Sequence, residues 1–446
     1  MRLKSPRSKP SLIINKTAMG FCRTIFAFLL LAGAFSLGAQ VKDPDGSPVD
    51  ELRRKAREGD ANAQWRLGNE YFYGDTGRVR NFTIAAYWYR LAAAQGHPQA
   101  VFNMAICYER GVGVRQSLYQ AFMYYKQAAD KGLAGARFNM ALTYLTGIPA
   151  ETCGDEKFPA VMPDRARAEA LLEELIRQNY VPAKRARADM LLNKPVAERD
   201  PKETARAFDL LNEAAEAGDC DAMRLLADCW FGGWGCEKDE AKMLFWLEKA
   251  AARDDREAMA KLAHCYEVGV GAVPDAQKAF EYFRRAARLG DSMSEVKMAD
   301  YCASGMYMPV DIPQSLEWLR RSASKGNSFA FFKLGVYAAE GIGMDKNPKG
   351  AFDMFLESAK RGNTHGQYNV GLYYLKGDVM PKDESAAFFW FKQAAAAKDN
   401  RAQLQLGLCH YYGVGTAKDE KTGLEWLHQA AENGSREAAE LLKGNL

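Results

Sequence analysis

Between residues 233 and 434 the apolar positions recur every 36 residues. One row reads Leu244, Phe280, Leu316, Phe352, Phe388 and Leu424, and three positions later comes Leu247, Phe283, Leu319, Phe355, Phe391 and Leu427. Four positions further on stands an unbroken row of alanine: Ala251, Ala287, Ala323, Ala359, Ala395 and Ala431. Offsets of three and four place these residues on one face of a helix, and no alternation of period two competes with them. A second apolar set precedes each of these helices, as in Leu262, Ala263 and Tyr266. Each unit therefore predicts two helices: helix A over Glu257–Val268 and helix B over Ala276–Leu289 in the clearest copy.

The breaks between them repeat as well. Gly233, Gly269, Gly305, Gly341, Gly377 and Gly413 are spaced 36 apart and mark the turn from A to B. Asp239, Asp275, Asp311, Asn347, Asp383 and Asp419 stand just before helix B, where a short oxygen-bearing side chain accepts from the orphan amides of the first turn. Asn347 is followed by Pro348, which suits the first helical position because its missing N–H has no partner there. At the far end of helix B the glycines Gly218, Gly290, Gly326, Gly362 and Gly434 suit a left-handed terminating residue, and Asp254 and Lys398 occupy the same column.

Earlier units keep the pattern with drift. Gly74, Gly111 and Gly147 extend the turn row, and Gly59, Gly96 and Gly132 extend the helix-end row. An insertion over 148–163, read as a loop from Pro149 to Pro163, interrupts the third unit before Asp164 opens its helix B. A further pair follows, with helix A over Pro182–Leu192 and helix B opening at Asp200-Pro201, where Glu203 completes a capping-box pattern. About ten helical pairs result, flanked by single helices at Val49–Glu58 and Arg436–Lys443. A lone pair of such helices buries one stripe and is marginal, so neighbours must complete one another's cores, and the terminal helices must cover the ends. The small residues Ala263, Ala299, Gly335, Gly371 and Gly407 let helices approach closely. Residues 49–446 are read as one array.

The motif Ala258-x3-Leu262-Ala263-x2-Tyr266-x2-Gly269-Val270-Gly271, then Asp275-x2-Lys278-Ala279-x2-Tyr282-Phe283-x2-Ala286-Ala287-x2-Gly290, resembles the Sel1-like repeat, a relative of the tetratricopeptide repeat. The last unit repeats it from Ala402 to Gly434, and the likeness covers residues 50–443. The resemblance implies an all-α, right-handed superhelical α-solenoid of stacked antiparallel helix pairs that holds a partner protein or peptide and carries no catalytic chemistry of its own. Departures are the long third loop, Cys302, Ala338 and His410 where other units have Tyr, and Lys194 where a turn glycine is expected. Some relatives carry a regular cysteine pair in each unit, and this chain lacks it.

Side chains outside the core columns carry specificity in such an array. Trp246, Tyr282, Trp318, Met354, Trp390 and Trp426 form an aromatic-rich column beside the buried rows. Its aromatic members Trp246, Tyr282, Trp318, Trp390 and Trp426 are the candidate partner-binding residues, with packing between neighbouring B helices as the plainer reading. Tyr71, Tyr108, Tyr144, Trp230, Tyr266 and Tyr374 on the A helices have the same two readings. Cys107, Cys229, Cys265 and Cys409 share one A-helix column and read as small core residues, whereas Cys153 and Cys236 fall in loops. His97, His264, His365, His410 and His428 are scattered, with no pair at metal-ligand spacing. The repeated Gly-x-Gly turns lack the preceding strand and the phosphate-facing lysine pattern of a nucleotide loop. Asp155-Glu156 in the insertion reads as solvated, and Asn81-Phe82-Thr83 is a glycosylation-type triplet beside a helix. No catalytic residue, cofactor or metal ligand is expected.

Charge adds the location. The 446 residues hold 60 basic and 56 acidic groups. Arg2, Lys4, Arg7, Lys9, Lys16 and Arg23 precede any acid; without these six, 54 basic groups face 56 acidic, a net of −2. A near-neutral body gives no case for nucleic-acid binding. The basic leader runs into the uncharged stretch Thr24–Ala39, 16 residues long, short for a membrane span and suited to a secretory signal over residues 1–39, with an uncleaved anchor as the rival. Residues 40–48 form a linker. The expectation is an exported scaffold of the periplasm, envelope or exterior that binds an unidentified protein or peptide. It touches a membrane only through an uncleaved leader. The rivals are a cell-wall or β-lactam hydrolase, suggested by relatives of the resembled family, and a carbohydrate-binding module using the exposed aromatics.

Overall fold

A computed structural model describes residues 51–74, 79–153 and 156–445. The expected leader and linker, residues 1–48, lie outside the described residues, as do Asp155 and the side chain of Cys153. The chain divides after Asp219 into two compact units.

In the first, helix Glu51–Arg57 precedes four pairs: Ala61–Tyr73 with Phe82–Ala94, Pro98–Arg110 with Leu118–Asp130, Ala134–Thr146 with Arg165–Arg177, and Val181–Leu192 with Pro201–Glu216. The second holds six: Cys220–Gly232 with Glu240–Ala251, Arg256–Val268 with Ala276–Arg288, Ser292–Ser304 with Ile312–Ser324, Ser328–Glu340 with Pro348–Lys360, Thr364–Lys376 with Glu384–Ala396, and Asn400–Tyr412 with Glu420–Glu432. Helix Arg436–Glu440 closes it. Within each unit successive helices pack antiparallel and stack, each against the next, which is the all-α solenoid that the 36-residue period predicts.

The predicted caps are in place. Asp239, Asp275, Asp311, Asn347, Asp383 and Asp419 each accept from the backbone N–H three residues on, at 2.8–3.0 Å. A second column, not singled out in the sequence analysis, caps the A helices: Asp255, Asp291, Asn327, Asn363 and Asp399 accept from Ala258, Ser294, Ala330, Gly366 and Ala402. Every pair in the second unit after the first is thus capped at both helix starts. The six turn glycines lie at φ between 69° and 82°, and Asp254 and Lys398 adopt the same left-handed region at 59° and 63°.

The rows fill the core as their spacing requires. Leu247, Phe283, Leu319, Phe355, Phe391 and Leu427 are all buried, and so are Ala251, Ala287, Ala323, Ala359 and Ala395, with Ala431 half-buried. Close approach is literal at Gly371, where an added Cβ would lie 2.6 Å from the Phe391 ring.

The insertion is not a featureless loop. It folds as an antiparallel hairpin, β1 Glu151–Cys153 and β2 Glu156–Phe158, continued by a bridge between Ile148 and Val161. Alternation over so few residues gives a weak strand signal, and what fixes the hairpin is tertiary. The Glu151 carboxylate accepts from Ser117 Oγ, the Leu118 N–H at 3.2 Å and the Tyr119 N–H at 2.9 Å, capping the preceding unit's B helix, while Phe158 stacks on Tyr119 at 5.1 Å. In regular units the second glycine of the Gly-x-Gly turn occupies the corresponding place, as where the Gly271 N–H donates to Glu240 at 2.9 Å. The hairpin thus replaces that contact.

Candidate partner-binding surface

The aromatic column splits into two chemistries. Trp246 is buried, and Tyr282, Trp318, Trp390 and Trp426 are half-buried. Trp390 packs on the core built from Phe352 and Phe355, and Trp426 on the core built from Phe391 and Ala395, each one repeat back. These rings therefore fill the seam between repeats with part of their surface and leave an edge outward. Over the first three repeats of the unit each ring carries a cation from the residue three positions on. Lys249 Nζ lies 4.6 Å from the Trp246 ring, the Arg285 guanidinium 6.0 Å from Tyr282, and that of Arg321 4.5 Å from Trp318. Glu357, Gln393 and Gln429 stand at the same place in the next three, where no cation is available. Tyr282 also lies parallel to Tyr266 at 5.9 Å and borders a small cavity of about 150 Å³ with Gln277, Lys278, Glu281 and Arg285.

The A helices carry a different pattern. From 220 to 304 their outer positions are charged and cross-linked between repeats: Lys261 to Asp228 at 2.6 Å, Lys297 to Glu267 at 2.7 Å, and, one repeat on, Lys333 to Asp300 at 2.7 Å. From 328 to 412 the column of Asp228 and Asp300 turns apolar as Val336, Leu372 and Leu408, half-buried against neighbouring cores, while the lysine column ends in Asn369 and Gln405; Phe332 and Tyr368 add aromatic surface one column away. Of the A-helix aromatic residues, Tyr71, Tyr108 and Tyr266 are buried, while Tyr144, Trp230 and Tyr374 are half-buried.

An open groove of about 570 Å³ lies at the start of helix Glu384–Ala396, lined by Tyr374, Pro381, Lys382, Asp383, Glu384, Ser385 and Gly415. Its carboxylates are engaged, Asp383 as a cap and Glu384 with Lys382 at 2.8 Å.

Several titratable groups have structural partners. The His97 ring caps its helix, accepting from the Ala100 N–H at 3.2 Å, and stacks on Trp65; burial, the largest influence on it, lowers its pKa. His365 stands between the Phe332 ring, Arg401 at 2.6 Å and Asp399 at 3.5 Å. Cys107, Cys265 and Cys409 are buried free thiols, raised by desolvation, Cys409 to about 11. Cys236 is half-exposed, with Sγ 3.5 Å from the Cys229 carbonyl. Asn81 uses its side-chain oxygen to cap Ile84 at 3.1 Å. Among the described residues no group of three His, Cys, Asp or Glu could hold a metal ion, and no helix is long and apolar enough to cross a membrane.

Comparison with known proteins agrees with this architecture. Residues 61–97, 98–133, 197–219, 220–255, 256–291, 292–327, 329–363, 364–399 and 400–435 match the Sel1 repeat. Protein sel-1 homolog 2 of Rattus norvegicus is similar at 38% identity over 69 residues, 15% of this chain and 10% of the relative, so the match spans about a tenth of that protein's length. A protective antigen of uropathogenic Escherichia coli strains, displaying an SLR fold, is 27% identical over 90% of this chain and 91% of its own, with a TM-score of 0.47. A Sel1 repeat protein from Oxalobacter formigenes is 25% identical over 52% of this chain and 99% of its own, with a TM-score of 0.48. Repeats that match over more than half of the sequence, folded as stacked antiparallel helix pairs, make this chain a member of the Sel1 repeat family.

Proposed function

We propose that the chain is an exported scaffold that binds a partner protein or peptide on the outer positions of its stacked helices. The observation that carries this reading is the contrast between fixed and varied columns. Core, cap and turn positions repeat from unit to unit, whereas outer positions change from charged ladders to apolar and aromatic stretches. Stacking requires the first set alone; the second is free to encode recognition. Export rests on the basic leader and the uncharged stretch Thr24–Ala39.

The test is chemical crosslinking in the native host, followed by capture of the chain from the exported fraction and sequencing of its amino terminus. The reading expects one specific protein at normal abundance and a mature chain that starts near Gln40. Recovery of no specific partner, or a chain retained inside the cell, would count against it.

A further inference from the structure

We infer that the carboxyl ends of the B helices between residues 276 and 325 form a docking strip for an acidic, extended peptide segment of the partner. The inference rests on the scaffold reading above and specifies its ligand.

Six cations stand there: Arg284, Arg285 and Arg288 on one helix end, and Arg320, Arg321 and Lys325 on the next. The two ends and the one before them are joined in series. Arg285 donates to the Ala251 carbonyl at 3.5 Å, and Lys325 to the Gly290 carbonyl at 3.0 Å. Carboxylates within the chain account for part of the charge: Glu281 takes Arg284, Asp254 takes Arg285, and the buried Glu295 takes Arg321 and Lys325. Glu317, on the same face, is engaged by Gln314 at 2.8 Å. Arg288 and Arg320 are exposed and have no ion pair among the described residues.

Favourable interaction with the helix dipole explains a cation at a helix end but predicts one on every B helix. Pro348–Lys360 does end on Lys360 and Arg361, both taken up by Glu357, but Glu384–Ala396 and Glu420–Glu432 have no basic residue in the last turn. Tyr282 and Trp318 hold Arg285 and Arg321 against their faces, which pre-orients the guanidinium groups, and Leu289 and Met293 add exposed apolar surface alongside. Planar donors on aromatic platforms beside apolar side chains suit carboxylates carried on a peptide. Neighbouring helix ends lie about 10 Å apart, which an extended chain covers in roughly three residues. The fitting ligand therefore carries an acid at about every third position.

The experiment measures fluorescence anisotropy of a short labelled peptide with Glu at every third position, and of its Gln counterpart, against the full chain. The expected result is saturable, salt-sensitive binding of the Glu peptide, weakened at least about tenfold in the Arg288→Glu/Arg320→Glu double variant. The same charge change at Lys349→Glu/Lys392→Glu should leave binding within about twofold, and circular dichroism should show both variants folded. Equal binding of the Gln peptide, or binding indifferent to the double variant, would overturn the inference. So would phosphatidylserine vesicles that bind as tightly as the Glu peptide and are lost in the same variant, since the surface would then be a membrane site. If crosslinking recovers the same partner from wild type and double variant, the strip is wrong and the scaffold reading stands; if it recovers none from either, the scaffold reading itself fails.

Discussion

The carboxylate of Glu295, fully shielded from solvent, lies 2.7 Å from the ammonium of Lys325, which joins the start of one helix to the end of its antiparallel partner. Arg321 approaches the same oxygen at 3.0 Å, and the second oxygen has no hydrogen-bond partner. One repeat earlier the position holds Met259, also buried. Ionising a buried carboxylate costs several kcal/mol, which two cations here offset. Glu295→Met should therefore be neutral or stabilising, because both cations can reach water. Arg321→Met with Lys325→Met, which strands the acid, should cost about 3 kcal/mol in urea unfolding.

A turn glycine and a helix-end glycine at similar φ differ in what they shield. Gly415 lies at φ +68° with a hypothetical Cβ 2.0 Å from the Glu384 carbonyl, whereas Gly362 at +82° has open space. Gly362→Ala should cost about 1 kcal/mol from backbone conformation alone. Gly415→Ala meets the clash as well and should cost at least about 2 kcal/mol. Equal shifts in urea midpoint would show that the turn does not press on the preceding helix.

Lys398 is the converse. It is exposed and held at φ +63° in a column that glycine otherwise dominates. Lys398→Gly should stabilise the chain by about 1 kcal/mol, visible as a higher urea midpoint with an unchanged slope.

Asp399 should shape the acid limb. Burial alone would raise its carboxyl, but hydrogen bonds from the Arg401 side chain and the Ala402 N–H, with the Arg401 charge, hold it below the usual range. A depressed native pKa contributes stability that is present above the unfolded value near 4 and lost as pH falls through the native one. Asp399→Asn should therefore lower stability at neutral pH and flatten the decline below about pH 4, measured as urea midpoint against pH.

Thiol labelling separates the cysteines. Burial pushes Cys409 up to about 11 and raises Cys107 and Cys265 too. In native protein near pH 8 these three should resist a maleimide reagent and react on unfolding, with the half-exposed Cys236 labelling ahead of them.

Much of this architecture is readable along the chain because a repeat states each rule many times. Asp275 alone is a weak helix signal; six such residues at one spacing, each before an apolar helix, define a cap column, and all six cap. The A-helix column from Asp255 to Asp399 is equally periodic and follows directly on the terminating column of Asp254, Gly290, Gly326, Gly362 and Lys398. The hairpin over 151–158 was not readable: its stability comes from Glu151 reaching amides 32 and 33 residues earlier, a contact with no local trace. The aromatic column was visible as a row, but not its division into cation-bearing and cation-free halves, which needs the residue three positions on, Lys249, Arg285 and Arg321 against Glu357, Gln393 and Gln429.

The central claim is that each helix pair is completed by its neighbours, and hydrogen exchange on the Phe391→Ala chain tests it most directly. Phe391 is fully buried, and its ring fills the space left by Gly371 one helix back. Truncation should cost about 3–5 kcal/mol. The account predicts lost amide protection in Thr364–Lys376, Glu384–Ala396 and Asn400–Tyr412, with Arg256–Val268 and Ala276–Arg288 close to wild type. Loss confined to Glu384–Ala396, or spread evenly over the whole unit, would contradict it.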